Sequence, residues 1–347
     1  GNITPTADAV TFTTATTLSG AVAINTGEAA GTIAFNDTLN GRQALALTAG
    51  TGNIDFGGVV GGTTSLGAVT INSATNVTAD FAFNAQSLRQ VAGSGMTTFT
   101  GALNTTGVAG IKVDGTNFDF NDTVSLTLGH LDVDSSGTVR FNGLVTTSDA
   151  DNGLVTISNG SQLTMTATGD MNPQGAFLQD GAGVVSTAGD ITTTNDNVTF
   201  ESAVTLTGAV DIDTGAGAGT VVFGDTINGE HALDITAGTG NVVFQTDAHV
   251  GTAVAANSAL TSMDISAANI TLRGVTTTGT QLYTATGTID TNSTYTTDGS
   301  NITFAGATVA NSALVIDTGA SVGGNVTFTS TLDSDDVSTP RALSITA

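Results

Sequence analysis

The residues of this chain that could do chemistry are mostly aspartates, and one dense group is Asp149-Ala150-Asp151-Asn152-Gly153. Oxygen donors at alternate positions before a glycine are how a calcium loop begins, because the turn gathers carboxylates around a hard cation. Asp149, Asp151 and Asn152 are therefore the candidate metal ligands, and calcium is the candidate cofactor. Gly160 stands where an EF-hand would supply its bidentate Glu, so the segment is not an EF-hand, and a plain polar turn is the competing reading. Asp132 with Asp134, and Asp333 with Asp335 and Asp336, form weaker groups of the same kind.

Other chemistries find less support. Gly215-Ala216-Gly217-Ala218-Gly219 has the glycines of a phosphate loop, but such a loop must open a helix, and here Val221-Val222-Phe223 reads as a strand. Lys112, the single lysine, lies in no such loop. His130, His231 and His249 are isolated and lack ligand spacing. A serine hydrolase needs an activated Ser–His pair, and no glycine-flanked serine here has a credible partner. Polysaccharide-cleaving enzymes need clustered acids, or acids with Arg or Lys, in a groove, whereas the few basic residues here are scattered over the whole chain. The chain reads as no enzyme, with no catalytic or cofactor-binding residue assigned. Asn-x-Ser/Thr sequons at Asn36, Asn76, Asn104, Asn197, Asn269, Asn301 and Asn325 are candidate glycosylation sites.

The elements that must position these residues are written in the composition. Of 30 acidic residues only Glu28, Glu201 and Glu230 are Glu. Asp suits turns and Glu suits helices, and Thr, which is abundant here, suits strands. Charged residues make up 10%, well below the usual quarter or so, so Thr, Ser and Asn must cover the surface. The net charge of −24 excludes nucleic acid, since no basic stripe exists to neutralise phosphates. It also disfavours anionic membrane surfaces. With no Cys, neither disulfides nor thiolate metal sites hold the fold. No stretch of about 20 apolar residues is present, so no transmembrane segment is expected.

The chain repeats itself. DNVTFESAVTLTGAVDIDTGAGAGTVVFGDTINGEHALDITAGTGNVVF from Asp196 matches the segment from Asp8 along its whole length without a gap, and partial copies start near Asn117 and Asn301. The copies span about 8–116, 117–195, 196–299 and 300–347. Within a copy, triplets ending in Phe (Phe12, Phe35, Phe56; Phe200, Phe223, Phe244) alternate with triplets ending in an aliphatic residue (Ile24, Leu47, Ile71; Ile212, Ile235, Ile265). A weaker third site lies between them at Leu18, Leu39 and Val60, and again at Leu206, Ile227 and Val250. Apolar alternation at period two marks half-buried strands. The steps from Phe12 to Phe35 and from Phe35 to Phe56 are nearly equal, as are those from Ile24 to Leu47 and from Leu47 to Ile71. This recurrence predicts a parallel β-solenoid with coils of about 22 residues, Phe stacking on Phe and Ile on Ile. Gly-Asn before the Phe strand and Asp/Asn-Thr-Gly after the Ile strand mark the corners. Tandem β-sandwich domains are the alternative, because the copies begin near Phe12, Phe120, Phe200 and Phe304, steps comparable to the length of one such domain. Stretches 77–117, 145–195 and 273–300 are less regular, and looser coils or lateral loops are expected there.

The phrases TLTGAVDIDTGAGAGTVVF and AGDITTTNDNVTF resemble the β-strand repeats of giant bacterial secreted and surface proteins, the filamentous-haemagglutinin-like adhesins. The resemblance covers nearly the whole chain. It implies a right-handed parallel β-helix, an extracellular or bacterial cell-surface location, and a role as a structural surface fibre, matrix filament or adhesin stalk. A glycan- or cell-binding adhesin module is the second reading, which a groove carrying Tyr283 and Tyr295 would favour, and a polysaccharide-active β-helix enzyme is the third. The final phrase, Arg341–Ala347, repeats Glu230–Ala237, after which the earlier copy continues Gly-Thr-Gly-Asn-Val-Val-Phe. One continuous solenoid over 1–347, part of a longer repeat protein, is expected. Its partners would be further repeats of the same chain or copies of itself, end to end, with glycans or other cells beyond them.

Overall fold

The structure, a computed structural model, describes residues 1–251, 258–319 and 323–347. Residues 252–257 and 320–322, which belong to the third and fourth repeat copies, lie outside the described residues. The described chain is all β, without a helix. Its contacts divide it into two compact units, Gly1–Gly175 with Gly181–Gly183, and Ala176–Asp180 with Val184–Ala347.

In the first unit each coil contributes three short strands, and each strand pairs in parallel with its counterpart one coil on. Val10–Phe12, Ile33–Phe35 and Ile54–Phe56 bring Phe12, Phe35 and Phe56 into register. Val22–Asn25, Leu45–Thr48 and Leu66–Ser73 do the same for Ile24, Leu47 and Ile71. The third site forms its own column, Leu39–Val60–Phe83–Leu103–Val124–Val145. The chain is thus a parallel β-solenoid with coils of about 21 residues. Every strand pairing recorded between described residues within these columns is parallel, which overturns the tandem β-sandwich alternative, since sandwiches are built from antiparallel sheets.

The core consists of the alternating residues that these strands turn inward. Ile24, Leu47, Ile212, Ile235, Phe35, Phe56, Phe223 and Phe244 are all buried. Phe rings that follow one another in a column stack nearly parallel, with centroids 4.8 Å apart for Phe12 and Phe35 and 5.6 Å for Phe200 and Phe223, whereas Phe83, in the third column, meets Phe56 and Phe99 edge-on. Parallel in-register strands place identical side chains directly over one another, so the rings adopt the stacking that their spacing dictates.

Two expectations need correction. The stretches expected to be looser also pair in parallel with their neighbours, although the register shifts between Thr284 and Thr288. Phe83–Gln90 pairs with three neighbours in register, and Gln281–Thr291 is a long continuous strand. These coils substitute Met, Gln or Tyr for Phe or Ile, so their sequence pattern is faint although their backbone pattern is not. The second correction concerns the fourth copy. Phe304 does not continue the column of Phe223 and Phe244. It stacks in the aliphatic column, Ile235–Ile265–Tyr283–Phe304–Phe328. Val242, on the strand of Phe244, is followed in its own column by Ile270, Ile289 and Thr308, so the place three coils on from Phe244 falls to Ala310. The fourth copy therefore arrives one strand early and lands on a different face of the coil.

Candidate functional site

Most polar side chains at the corners bond to the next coil or close their own turn. Asn53 Oδ1 accepts from both the backbone and the side-chain amide of Asn76, at 3.1 Å each, and Asn76 Oδ1 accepts from the Met96 amide at 2.9 Å. Asn241 accepts from Asn269 Nδ2 at 2.9 Å, and Asn269 from the Thr288 amide at 3.0 Å. Asn117, Asn197 and Asn301 accept from backbone amides one coil on in the same way. Parallel stacking brings like corners within hydrogen-bond reach, and an amide can donate and accept at once. This bears on the sequons. The side chains of Asn76, Asn104, Asn197, Asn269 and Asn301 are already bonded to a neighbouring coil, whereas Asn36 is exposed.

The Asp/Asn-Thr-Gly corners are closed by their own side chains. Asn25, Asp213 and Asp317 accept from the amides of Gly27, Gly215 and Gly319 at 2.8, 2.7 and 2.9 Å. The buried hydroxyls of Thr26, Thr214 and Thr318 donate across the loop to the carbonyls of Gly31, Gly219 and Gly324. Gly215 has φ +79°, which explains a glycine directly after the threonine. The glycine-rich run 215–219 is therefore a solenoid corner leading into Val221–Phe223.

At the proposed calcium turn, Asp149 Oδ2 accepts from the Gly129 amide at 2.8 Å and Oδ1 from the Asp151 amide at 3.2 Å. These backbone donors, Gly129 first, hold the carboxyl below its ordinary value of 3.8. Asp151 is exposed, and Asn152 Nδ2 lies 3.4 Å from His130 Nδ1. Asp149, Asp151 and Asn152 thus share one turn, in which the Asp149 carboxylate also accepts from the amides of Gly129 and Asp151. Among the described residues, no group of three or more His, Asp or Glu side chains is placed to hold a metal ion.

Asp132 pairs with Lys112, which also lies 3.9 Å from Asp114, itself 3.6 Å from Arg89. Arg341 forms a two-pronged pair with Asp335, at 2.6 and 2.8 Å. A column of like charge runs through the second unit, where Asp211, Asp234 and Asp264 are in register and Asp190 Oδ1 accepts from the Asp211 amide. Burial first and then Asp190 and Asp234 raise the Asp211 carboxyl above its ordinary value, and burial and Asp234 do the same to Asp264.

Tyr283 and Tyr295 line no groove. Both are fully buried, with Tyr283 Oη donating to Gln281 Oε1 at 3.0 Å, and burial keeps both phenols neutral. Their place in the core follows from their columns: Tyr283 occupies an Ile position and Tyr295 a position of the third site, between Val275 and Ile316. Among the described residues, no helix is long and apolar enough to cross a membrane. Comparison with protein-family models, curated proteins and solved structures finds no match.

Proposed function

We propose that the chain is an extracellular structural repeat protein, a segment of a surface fibre, matrix filament or adhesin stalk. The observation that supports this reading most directly is the use made of the polar side chains. Asn and Thr at the corners are engaged in holding one coil to the next or in closing turns, and the aspartates of Asx corners bond their own backbone. A side chain already committed to the frame is a poor general acid, base or ligand. What the arrangement accomplishes is repetition, since each coil offers the next a template of the same shape, and such one-dimensional stacking is how a chain builds length.

The resemblance of the repeat phrases to filamentous-haemagglutinin-like adhesins supports the surface location, as does the high negative charge, which keeps such bodies apart in solution. The partners in this reading are further repeats or copies of the same chain. Immunogold labelling of intact source cells with antibody against this chain tests it. Label on the cell surface, or on filaments around the cells, is the expected result. Label confined to the cell interior overturns the proposal.

A further inference from the structure

The copies that begin at Asp8 and Asp196 share a frame but not a surface. Ala23 and Ala46 of the first have Asp211 and Asp234 as counterparts in the other, and Ala34 and Asp55 have Val222 and Val243. All of these alternate with the inward residues of their strands, so they stand on the outside of the coil. The frame folds with either set, so the core requires neither alanine at 23 and 46 nor valine at 222 and 243. In a chain of 30 acidic residues, each unit thereby keeps a run of coils clear of acids along one outward column, on a different face in each.

On the first unit the column reads Ala23, Ala46, Thr70 and Arg89, in register from coil to coil. Ala21, Ala44 and Ala68 widen its apolar part into a trough of about 250 Å³. On the second unit the column reads Val222, Val243, Thr271 and Asp290. Strands paired in a stack lie about 4.8 Å apart whatever the coil length, so the two columns have the same stride. Side by side with coils running the same way, Val222 meets Ala23, Val243 meets Ala46, Thr271 meets Thr70 and Asp290 meets Arg89. The valines fall into the alanine trough, and the acid of one column falls on the base of the other. With one column reversed, so that Val243 meets Ala23, Leu178 takes the place opposite Arg89 and the charge pair is lost. Two coils beyond Arg89, Asp132 would face Asp333, so like charge bounds the match at that end.

We infer that the Val222–Asp290 column of one copy docks side by side on the Ala23–Arg89 column of a second copy, with the coils of both running in the same direction. Arg89 is 46% exposed and its partner within the chain, Asp114, is 3.6 Å away, so its planar fork can also reach a carboxylate arriving from outside. Complementary charge fixes register and partner more than it adds strength. The contact is one strand wide, small against the roughly 800 Å² per partner of a stable complex, so a single contact is weak. Each copy carries both columns and the two differ, so the contact is heterologous and a third copy adds in the same way. This lateral association is separate from end-to-end continuation. It is read on the purified chain, so it stands or falls apart from the surface location proposed above.

The chain has no Cys, so disulfide trapping reads the contact without background. Ala46→Cys and Val243→Cys chains, mixed at high concentration under mild oxidation, are expected to form the mixed dimer faster than either forms a dimer with itself. Arg89→Asp in the Ala46→Cys chain is expected to slow the mixed dimer about two- to fivefold, the worth of an exposed ion pair. Asp290→Arg in the Val243→Cys chain is expected to restore the rate. Ala23→Asp, the residue that the copy from Asp196 carries at that place, is expected to slow trapping with an unchanged melting temperature. Should its melting temperature fall, Val222→Ala, the residue of the first copy at the matching place, takes its part with the same expectation. A mixed dimer that forms no faster than the same-variant dimers, or no recovery with Asp290→Arg, overturns the inference.

Discussion

Phe223 lies between Phe200 and Phe244, with ring centroids 5.6 and 5.3 Å away, and its own column fixes its neighbours on both sides. A truncation there leaves a space that the flanking rings cannot fill without leaving register. Phe223→Ala is expected to destabilise its unit by about 3–5 kcal/mol, measured by denaturant unfolding. A loss below about 1 kcal/mol would mean that the column does not carry the packing assigned to it. Asp211 makes the opposite prediction. It sits in a column with Asp234 and Asp264, beside Asp190, and like charges directly opposite in a sheet repel. Asp211→Asn is expected to stabilise the second unit by about 0.2–1 kcal/mol at neutral pH. The gain should vanish once the pH is low enough to protonate the native carboxyl. A loss of stability on this change at neutral pH would contradict the charge column.

The corner after the aliphatic strand is an element on which the coil depends, because three strands per coil require three corners that together carry the chain through one full turn without a helix. Thr214 is buried, and its hydroxyl reaches the Gly219 carbonyl at 3.0 Å across the loop. Thr214→Val keeps the shape and removes the donor, leaving that carbonyl without this bond. A loss of about 1–3 kcal/mol is expected from denaturant unfolding. The same substitution at Thr26 and Thr318, which close the corresponding corners, should give losses of the same order. If Thr214→Val is neutral, the corner is held by its backbone and by Asp213 rather than by the buried hydroxyl.

Across the molecule, the titration of the aspartates pulls in two directions. Asp55, Asp211 and Asp264 have carboxyls raised above the ordinary 3.8 by burial and then by neighbouring acids. The folded state binds protons on them more readily than the unfolded chain, so their favourable contribution is complete below 3.8 and is lost as pH rises through their raised values. Asp149, Asp335 and Asp336 are lowered, by amide donors, by Arg341 and by Ser338 with Thr339 respectively. Their contribution is complete above 3.8 and is lost as pH falls through their depressed values. Stability should therefore rise as pH is lowered from neutral toward 3.8 and fall below it, and Asp211→Asn should flatten the rise. Added salt at neutral pH should raise the melting temperature, because it screens the self-repulsion of a net charge of −24. Melting curves with and without chelator are expected to superimpose, since both Asp149 oxygens already accept backbone amides. A calcium-dependent shift that disappears in Asp149→Asn would place a cation at that turn.

The solenoid is legible in the sequence, because its cause is local and repeated. Phe12, Phe35 and Phe56, or Ile24 and Leu47, recur at the length of one coil, and a parallel stack turns equal spacing into contact. The corners were legible for a related reason: a short side chain bonding its own backbone, as at Asp213, depends on few other residues. The calcium turn at Asp149, Asp151 and Asn152 was visible only as a composition, and where its oxygens point is settled by the Gly129 amide of the preceding coil. Phe304 and Tyr283 show what tertiary structure alone decides. Both look like members of an aromatic face or an open groove, and both lie in the buried aliphatic column. The face a side chain occupies is its position counted modulo the coil length. That length is uneven here, since the stride from Val242 to Ile270 is longer than the stride from Ile270 to Ile289, and the count shifts without leaving a mark in the repeated words.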